Sequence, residues 1–276
     1  MTTLRELTES VHSLWPLESA EPWDTPGLVA GRGEWEVRRV LIAVDAVRDT
    51  VDEAVNGQFD VLLTHHPLLL RGVTSVADDR AKGDLLTSLI SSRVGMLSAH
   101  TNADIVDSGA TQVLAGLLGL QNLSPIAPTV SDAIGLGRVG ELAEPTTLGE
   151  LARRLADVLP ATAGGVRGAG DWNRPVSRVA LCSGAGDSLL EHPIVRGSDV
   201  YITSDLRHHP AQEAIELGRV AGGPALLDVS HWASEWLWCA SAARELGALL
   251  PNLDFQVSDL RTDPWDFAVL PAERNA

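Results

Sequence analysis

Two related α/β lobes, the product of an internal duplication, are the architecture this sequence predicts. Three observations carry that expectation. Over the first 120 residues, short β-branched and aliphatic runs alternate with segments of helical periodicity. The same alternation recurs after residue 175 with the same internal spacing. In both halves the apolar runs discharge into loops that carry His, Asp and Glu.

The elements follow in order. Leu4, Leu7, Val11, Leu14 and Trp15 stand at helical spacing and predict an amphipathic opening helix over 2–15. WDTPGLVAG (23–31) reads as irregular chain, punctuated by Pro and Gly. VRRVLIAVDAV (37–47) predicts a strand, and DTVDEAVNGQ (49–58) a short helix with an acidic first turn that ends near Gly57. VLLT (61–64) is the next strand. Residues 80–93 read as helix, VGMLSA (94–99) as strand and 108–120 as a helix closed by Gly119. The middle, about 124–170, is richer in Gly and Pro. Within it TLGELARRLADVL (147–159) is a helix with Leu148, Leu151, Leu155 and Leu159 on its buried face.

The duplication rests on spacing. Val61 follows Val40 by 21 residues, and Val200 follows Val179 by 21. At that offset VSRVALCSGAG falls on VRRVLIAVDAV, and SDVYITSD falls on FDVLLTHH, with Asp199 on Asp60 and Thr203 on Thr64. Each half then runs to a late strand with a polar exit, MLSAHTNAD in one and LLDVSHWASE in the other. The chain reads as a single unit over 1–270. One lobe takes about 1–124 with 225–270, and the other about 125–224.

Composition narrows the class. Hydrophobic residues make up 45 % and charged residues 21 %, as in ordinary globular proteins. A formal net charge of −16 argues against a nucleic-acid partner, because phosphate backbones need clustered Lys and Arg. Two cysteines, Cys182 and Cys239, provide neither a disulfide framework nor a Cys-based zinc site, which points to a reducing cytoplasm. The first residues lack the pattern of a signal peptide, and no apolar run reaches the ~20 residues of a membrane span.

The polar exits collect the chemistry. His65 and His66 follow VLLT, and His100 and Asp104 follow VGMLSA. Asp205, His208 and His209 follow VYITS, and His231 and Glu235 follow the last strand. Ligands in open α/β sheets gather outside the carboxyl ends of strands, so these residues have a route to one place. With Ser230 as a helix cap, His231 and Glu235 share a helix face. A carboxylate has two oxygens and can bridge two cations ~3.5–4 Å apart. Each piece has an ordinary reading too. Tandem His pairs sit in loops and caps, His-x-x-x-Glu is common in helices, HTNAD forms an Asx turn, and HHP at 208–210 opens a helix with Pro210 in its first turn. Four such pieces at four strand exits favour a common site. His12 and His192 read as ordinary residues.

WDTPGLVAG, LIAVDA, DVLLTHHPLLLRG, SAHTNAD, IGLGRVGEL, GAGDSLL, DVYITSDLRHH and DVSHWASE occur in this order. In them the chain resembles the NIF-three-like family of dinuclear-metal proteins, whose members carry the name GTP cyclohydrolase 1 type 2 homologue. The resemblance spans nearly the whole chain and implies five metal ligands. His65 and Asp104 would bind a first ion, His66 and His231 a second, and Glu235 would bridge them. It also implies a two-lobed α/β subunit, a metal site between the lobes at strand C-terminal ends, and a homohexameric ring. Two departures stand out. Thr25 follows Trp23-Asp24 where the family has Asn, and Pro210 follows His209 where it has Asp. The ligands are unaltered, so the departures bear on the substrate pocket.

These readings combine into a cytoplasmic, metal-dependent hydrolase. Two divalent ions per subunit, drawn from zinc, iron, manganese, cobalt or nickel, would acidify water. His100 and His209 would serve proton transfer. A small molecule, with GTP as the nucleotide implied by the family name, would be the substrate. The rival reading is a non-catalytic metal-binding or scaffold protein, since a fold does not fix a function.

Overall fold

The opening turn shows how closely local sequence dictates structure. Thr3 caps a helix over Leu4–Leu14: its hydroxyl accepts from Glu6 N, and the Glu6 carboxylate accepts from Thr3 N at 2.7 Å. Leu4, Leu7 and Val11 are buried on one face of that helix, and Trp15, just past its end, is buried as well. The structure is a computed structural model and describes residues 1–131 and 133–270. It divides into two compact units.

The first unit comprises Met1–Leu114, Ala127–Gly137 and Glu235–Thr262. Its five-stranded sheet runs, in spatial order, Asp254–Val257, Arg39–Ala43, Val61–Thr64, Gly95–Ser98 and Gly27–Ala30. The first four strands are mutually parallel and the last is antiparallel. Every residue of Val61–Thr64 and of Gly95–Ser98 is buried, as expected of parallel strands covered on both faces. Helices Arg48–Asn56 and Ala81–Ser91 make the crossovers. A two-stranded pair, Thr2–Thr3 with Glu36–Val37, closes the N-terminus.

The second unit comprises Ala115–Ile126, Arg138–Ser234 and the described residues from Asp263. The six-stranded sheet runs Leu120–Ser131, Ile134–Thr147, Pro175–Ala185, Val200–Ser204, Ala225–Val229 and Arg167–Ala169. Its three central strands, from Pro175, Val200 and Ala225, are parallel. The Gly- and Pro-rich middle turns out to hold two long strands. Leu120–Ser131 contains Pro125 and Pro128 yet remains a strand because it lies at the sheet edge, where a missing N–H breaks no ladder. Helix Leu148–Val158 buries Leu148, Leu151 and Leu155, whereas Leu159 leaves the stripe as the half-exposed residue beyond the last turn.

One construction occurs in both units. Val40 pairs with Val61, and Val179 with Val200. Asp60 accepts from Arg38 N and Arg39 N at 2.8 and 3.0 Å, while Asp199 accepts from Ser177 N and Arg178 N at 2.8 Å each. Asp60 O then receives Gly95 N, and Asp199 O receives Ala225 N. The mixed α/β architecture is thus two sheets sharing one local plan.

Candidate metal centre

Parallel strands of the first unit end together, and their C-terminal exits set the site. Beyond Val61–Thr64 the ladder continues for two residues, with His65 N donating to Ala43 O and His66 N to Val44 O. Thr64 Oγ1 donates to His66 O at 2.7 Å, and Pro67 ends the run. Consecutive strand residues would face opposite sides; in this turn both imidazoles turn the same way, with ring centroids 5.3 Å apart. Beyond Gly95–Ser98 the chain makes one helical turn, Thr101–Asp104, which brings Asp104 back toward His65. Asn102 fastens this turn: its Oδ1 accepts from His100 N and its Nδ2 donates to Trp15 O.

The imidazoles share one mode of attachment. His65, fully buried, donates from Nδ1 to Ala99 O at 2.9 Å, because a carbonyl can only accept. His66 Nδ1 lies 2.7 Å from Asp45 Oδ1, and His100 Nδ1 lies 2.8 Å from Asp24 Oδ1. In the second unit, His231 Nδ1 lies 2.7 Å from Asp205 Oδ2. A tethered Nδ1–H leaves the Nε2 lone pair facing outward, which is the arrangement that presents histidine to a cation. His65, His66 and His100 each bring a ring nitrogen within 4.8 Å of the others.

Carboxylates complete the first unit's cluster. Helix His231–Leu249 places Glu235 one turn after His231. Glu235 is buried, with Oε1 3.6 Å from His65 Nε2 and Oε2 2.8 Å from His66 Nε2. Asp104 Oδ1 stands 3.5 Å from His65 Nε2. His65 Nε2 and Asp104 Oδ1 are both buried without a hydrogen-bond partner. Such orphaned atoms are costly, and a span of 3.5 Å suits two ligands around one cation at bonds of about 2.0–2.2 Å. The donor set of imidazole and carboxylate fits a divalent transition metal.

Electrostatics agree. Burial opposes charge on both imidazoles, yet the acids prevail: Asp104 and Glu235 raise the His65 pKa, and Glu235 with Asp45 push His66 up to about 10. Burial also raises the Asp104 pKa, with Glu235 adding to it against the opposing His65. All three shifts favour the protonated form, the direction expected of a pocket that gathers carboxylates without a compensating cation. Trp238 packs its ring 5.1 Å from that of His65 and keeps this side of the cluster dry.

The remaining residues named from sequence fall as follows. His100 is in the cluster, half-buried, with Trp23 edge-on at 5.8 Å. His209 is exposed in the first turn of helix His208–Ala221 in the second unit, its ring 5.1 Å from that of His208. His231 caps no strand; it opens a helix whose Ala233 N is held by Ser230 Oγ. Sequence reasoning named Asp205, the acid behind His231, but overlooked Asp45 and Asp24 behind His66 and His100. Asp45 stands in the LIAVDA run just past strand Arg39–Ala43, at the exit neighbouring His66, and a search for carboxylates at every exit would have found it. Asp24 had no such signal, because it sits in irregular chain 76 residues from His100.

A mixed α/β protein with a His-and-carboxylate cluster suited to divalent cations is the class that fold and site define. The chain belongs to the Duf34/NIF3 (NGG1p interacting factor 3) family, whose sequence model matches residues 2–264. A GTP cyclohydrolase 1 type 2 homolog of Streptomyces coelicolor is 47 % identical over 279 residues, covering 99 % of this chain and 96 % of that protein. A Mycobacterium tuberculosis protein of the same name is 31 % identical over 374 residues, covering 95 % and 96 %. Among solved structures, a Bacillus cereus protein related to NIF3 shares the fold with a TM-score of 0.88 at 23 % identity, covering 96 % of this chain and 99 % of its own. A Staphylococcus aureus hypothetical protein matches with a TM-score of 0.86 at 26 % identity, covering 97 % and 99 %. No helix among the described residues is long and apolar enough to cross a membrane.

Proposed function

We propose that this protein is a dinuclear metal-dependent hydrolase. His65, Asp104, His66, His231 and Glu235 would hold the ions in this reading. The observation that carries it is the pair of buried, orphaned atoms, His65 Nε2 and Asp104 Oδ1, beside imidazoles tethered through Nδ1. His231 enters by helix geometry, since a residue one turn before Glu235 on the same helix shares its face. Bound divalent ions supply Lewis acidity and a lowered pKa for water. The chain's own residues do the rest. Asp45 and Ala99 O fix the imidazole tautomers, Trp238 excludes water, and Asp24 holds His100 in position to accept or pass a proton. His209 is the second candidate for proton transfer.

The relatives' name supports a nucleotide substrate, with ring opening of GTP as the reaction to try first. Assembly as a cytoplasmic homohexamer and descent by duplication belong to the same reading. The recurring Asp60 and Asp199 construction supports the latter.

Elemental analysis of protein prepared without added metal, followed by a nucleotide hydrolysis screen, tests the proposal. About two divalent ions per chain and turnover abolished by chelation are the expected results. Two ions with no turnover of any nucleotide would leave a metal-binding protein and end the hydrolase reading. Full occupancy in a His65→Ala, Glu235→Ala double variant would overturn the site itself.

A further inference from the structure

The chain contains a single lysine, Lys82, among 276 residues; its other basic side chains, histidine apart, are arginines. Lys82 is half-buried near the start of helix Ala81–Ser91 and has no acidic partner among the described residues. It lines a recess of about 490 Å³ in the first unit that also touches His66 and Asp45. That volume is in the range of small-molecule sites. Val47, Pro67, Leu68 and Leu85 supply apolar walls.

Position separates this recess from the others. A larger one, about 780 Å³, is lined by Phe59, Asp60 and Val94 at the N-terminal ends of the strands, away from the His cluster. Another, about 210 Å³, lies in the second unit along helix His208–Ala221. The recess with Lys82 opens at the C-terminal ends of Arg39–Ala43 and Val61–Thr64, where α/β sheets bind ligands.

Charges in the lining are already matched, with one exception. Asp45 holds His66, and Asp84 holds Arg48, which also reaches Asp52 at 3.2 Å. Lys82 is left over. A lysine is a compact point charge on a flexible stem, suited to end-on capture of one anionic group. A triphosphate would need several such groups.

We infer that this recess binds the substrate, and that the substrate is a small organic anion with one phosphate or carboxylate on a largely apolar body, in place of the triphosphate that the relatives' name suggests. The anionic end meets Lys82, and the reacting end lies toward His66. The inference rests on the hydrolase reading for the word substrate, but the binding site stands apart from it. Lys82 acts as a binding and specificity residue, and it places no demand on metal retention.

The single lysine makes the test direct. Native wild-type protein is acetylated with limiting sulfo-N-hydroxysuccinimidyl acetate, and modification of Lys82 is followed by peptide mass. Phenyl phosphate and benzoate serve as probes, with inorganic phosphate and phenol as their halves, on both metal-loaded and chelated protein. At least one probe is expected to slow Lys82 acetylation about fivefold or more, and to do so better than either half. Phosphate esters are the class if only phenyl phosphate protects, and carboxylates if only benzoate does. By calorimetry, Lys82→Gln should weaken that probe about tenfold or more, as for loss of a charged hydrogen bond, with metal content unchanged and Lys82→Arg recovering part of the affinity. Equal acetylation with and without both probes, or Lys82→Gln binding as wild type, overturns the inference. Protection in chelated protein that holds no metal on reloading would sink the hydrolase reading and leave the anion site standing.

Discussion

Asp24 shows what one residue outside the ligand set contributes. Its carboxylate receives Thr25 N at 2.7 Å, Thr101 N at 3.1 Å, Thr101 Oγ1 at 2.5 Å and the His100 imidazole at 2.8 Å. Burial alone would raise its pKa; the hydrogen bonds from His100 and Thr101 win and bring it from 3.8 to about 2. A depressed folded-state pKa stabilises the fold above the unfolded value and loses that contribution as pH falls from about 4 to about 2. The shift corresponds to about 2 kcal/mol. The stability gap between wild type and Asp24→Asn, measured by urea unfolding, should therefore be full at pH 6 and shrink below pH 4. A gap that stays constant down to pH 2.5 would show that Asp24 titrates normally. At the proposed ligands, His65→Ala should lose one of the two proposed ions by elemental analysis. If turnover exists, Glu235→Gln should cost several orders of magnitude and His209→Ala about 10²- to 10⁴-fold in rate.

At the scale of elements, the strand starts are held by acids. Asp60 and Asp199 each satisfy two N–H groups that the ladders leave unpaired, and each passes its own carbonyl to the next strand. Asp60→Ala and Asp199→Ala should each destabilise by about 1 kcal/mol in denaturant melts, mainly from the donors at half-buried Arg39 and Arg178, since Arg38 and Ser177 are exposed. A silent Asp199→Ala would separate the two constructions that look alike. Helix ends obey simpler rules. Gly119 and Gly222 take φ of +73° and +76° beyond their helices, and nothing lies within 4 Å of an added Cβ at either, so backbone conformation alone selects glycine there. The sequence reading placed the Gly119 end and the Ser230 cap, whereas the Gly222 end and the Thr3 cap come from the structure.

For the whole molecule, folding and metal binding should be linked. Ligands that bind only the native state stabilise it by mass action, ~2.7 kcal/mol at a hundredfold excess over Kd. Adding zinc or manganese to chelated protein should raise Tm, and the rise should vanish in the His65→Ala, Glu235→Ala variant. The assembly reading predicts a homohexamer by light scattering at micromolar concentration. Trp172 and Trp265 are 52 % and 70 % exposed, and aromatic side chains of that kind anchor interfaces. A monomer would count against the ring.

Much of this was legible without coordinates because it depends on near neighbours. Strand and helix periods, the 21-residue offset and the His pair after VLLT are local patterns, and local sterics and burial enforce them. The edge strand Leu120–Ser131 was not, since its two prolines are permitted only by a position in the sheet that residues 120–131 do not encode. The same holds inside the cluster. Glu235 meets His65 across 170 residues of chain and His66 across 169, and Asp24 meets His100 across 76. Lys82 gains meaning only beside a recess that reaches His66. Side chains so far apart in sequence are joined by how parallel strands stack and where their ends fall, and no pattern along the chain carries that distance.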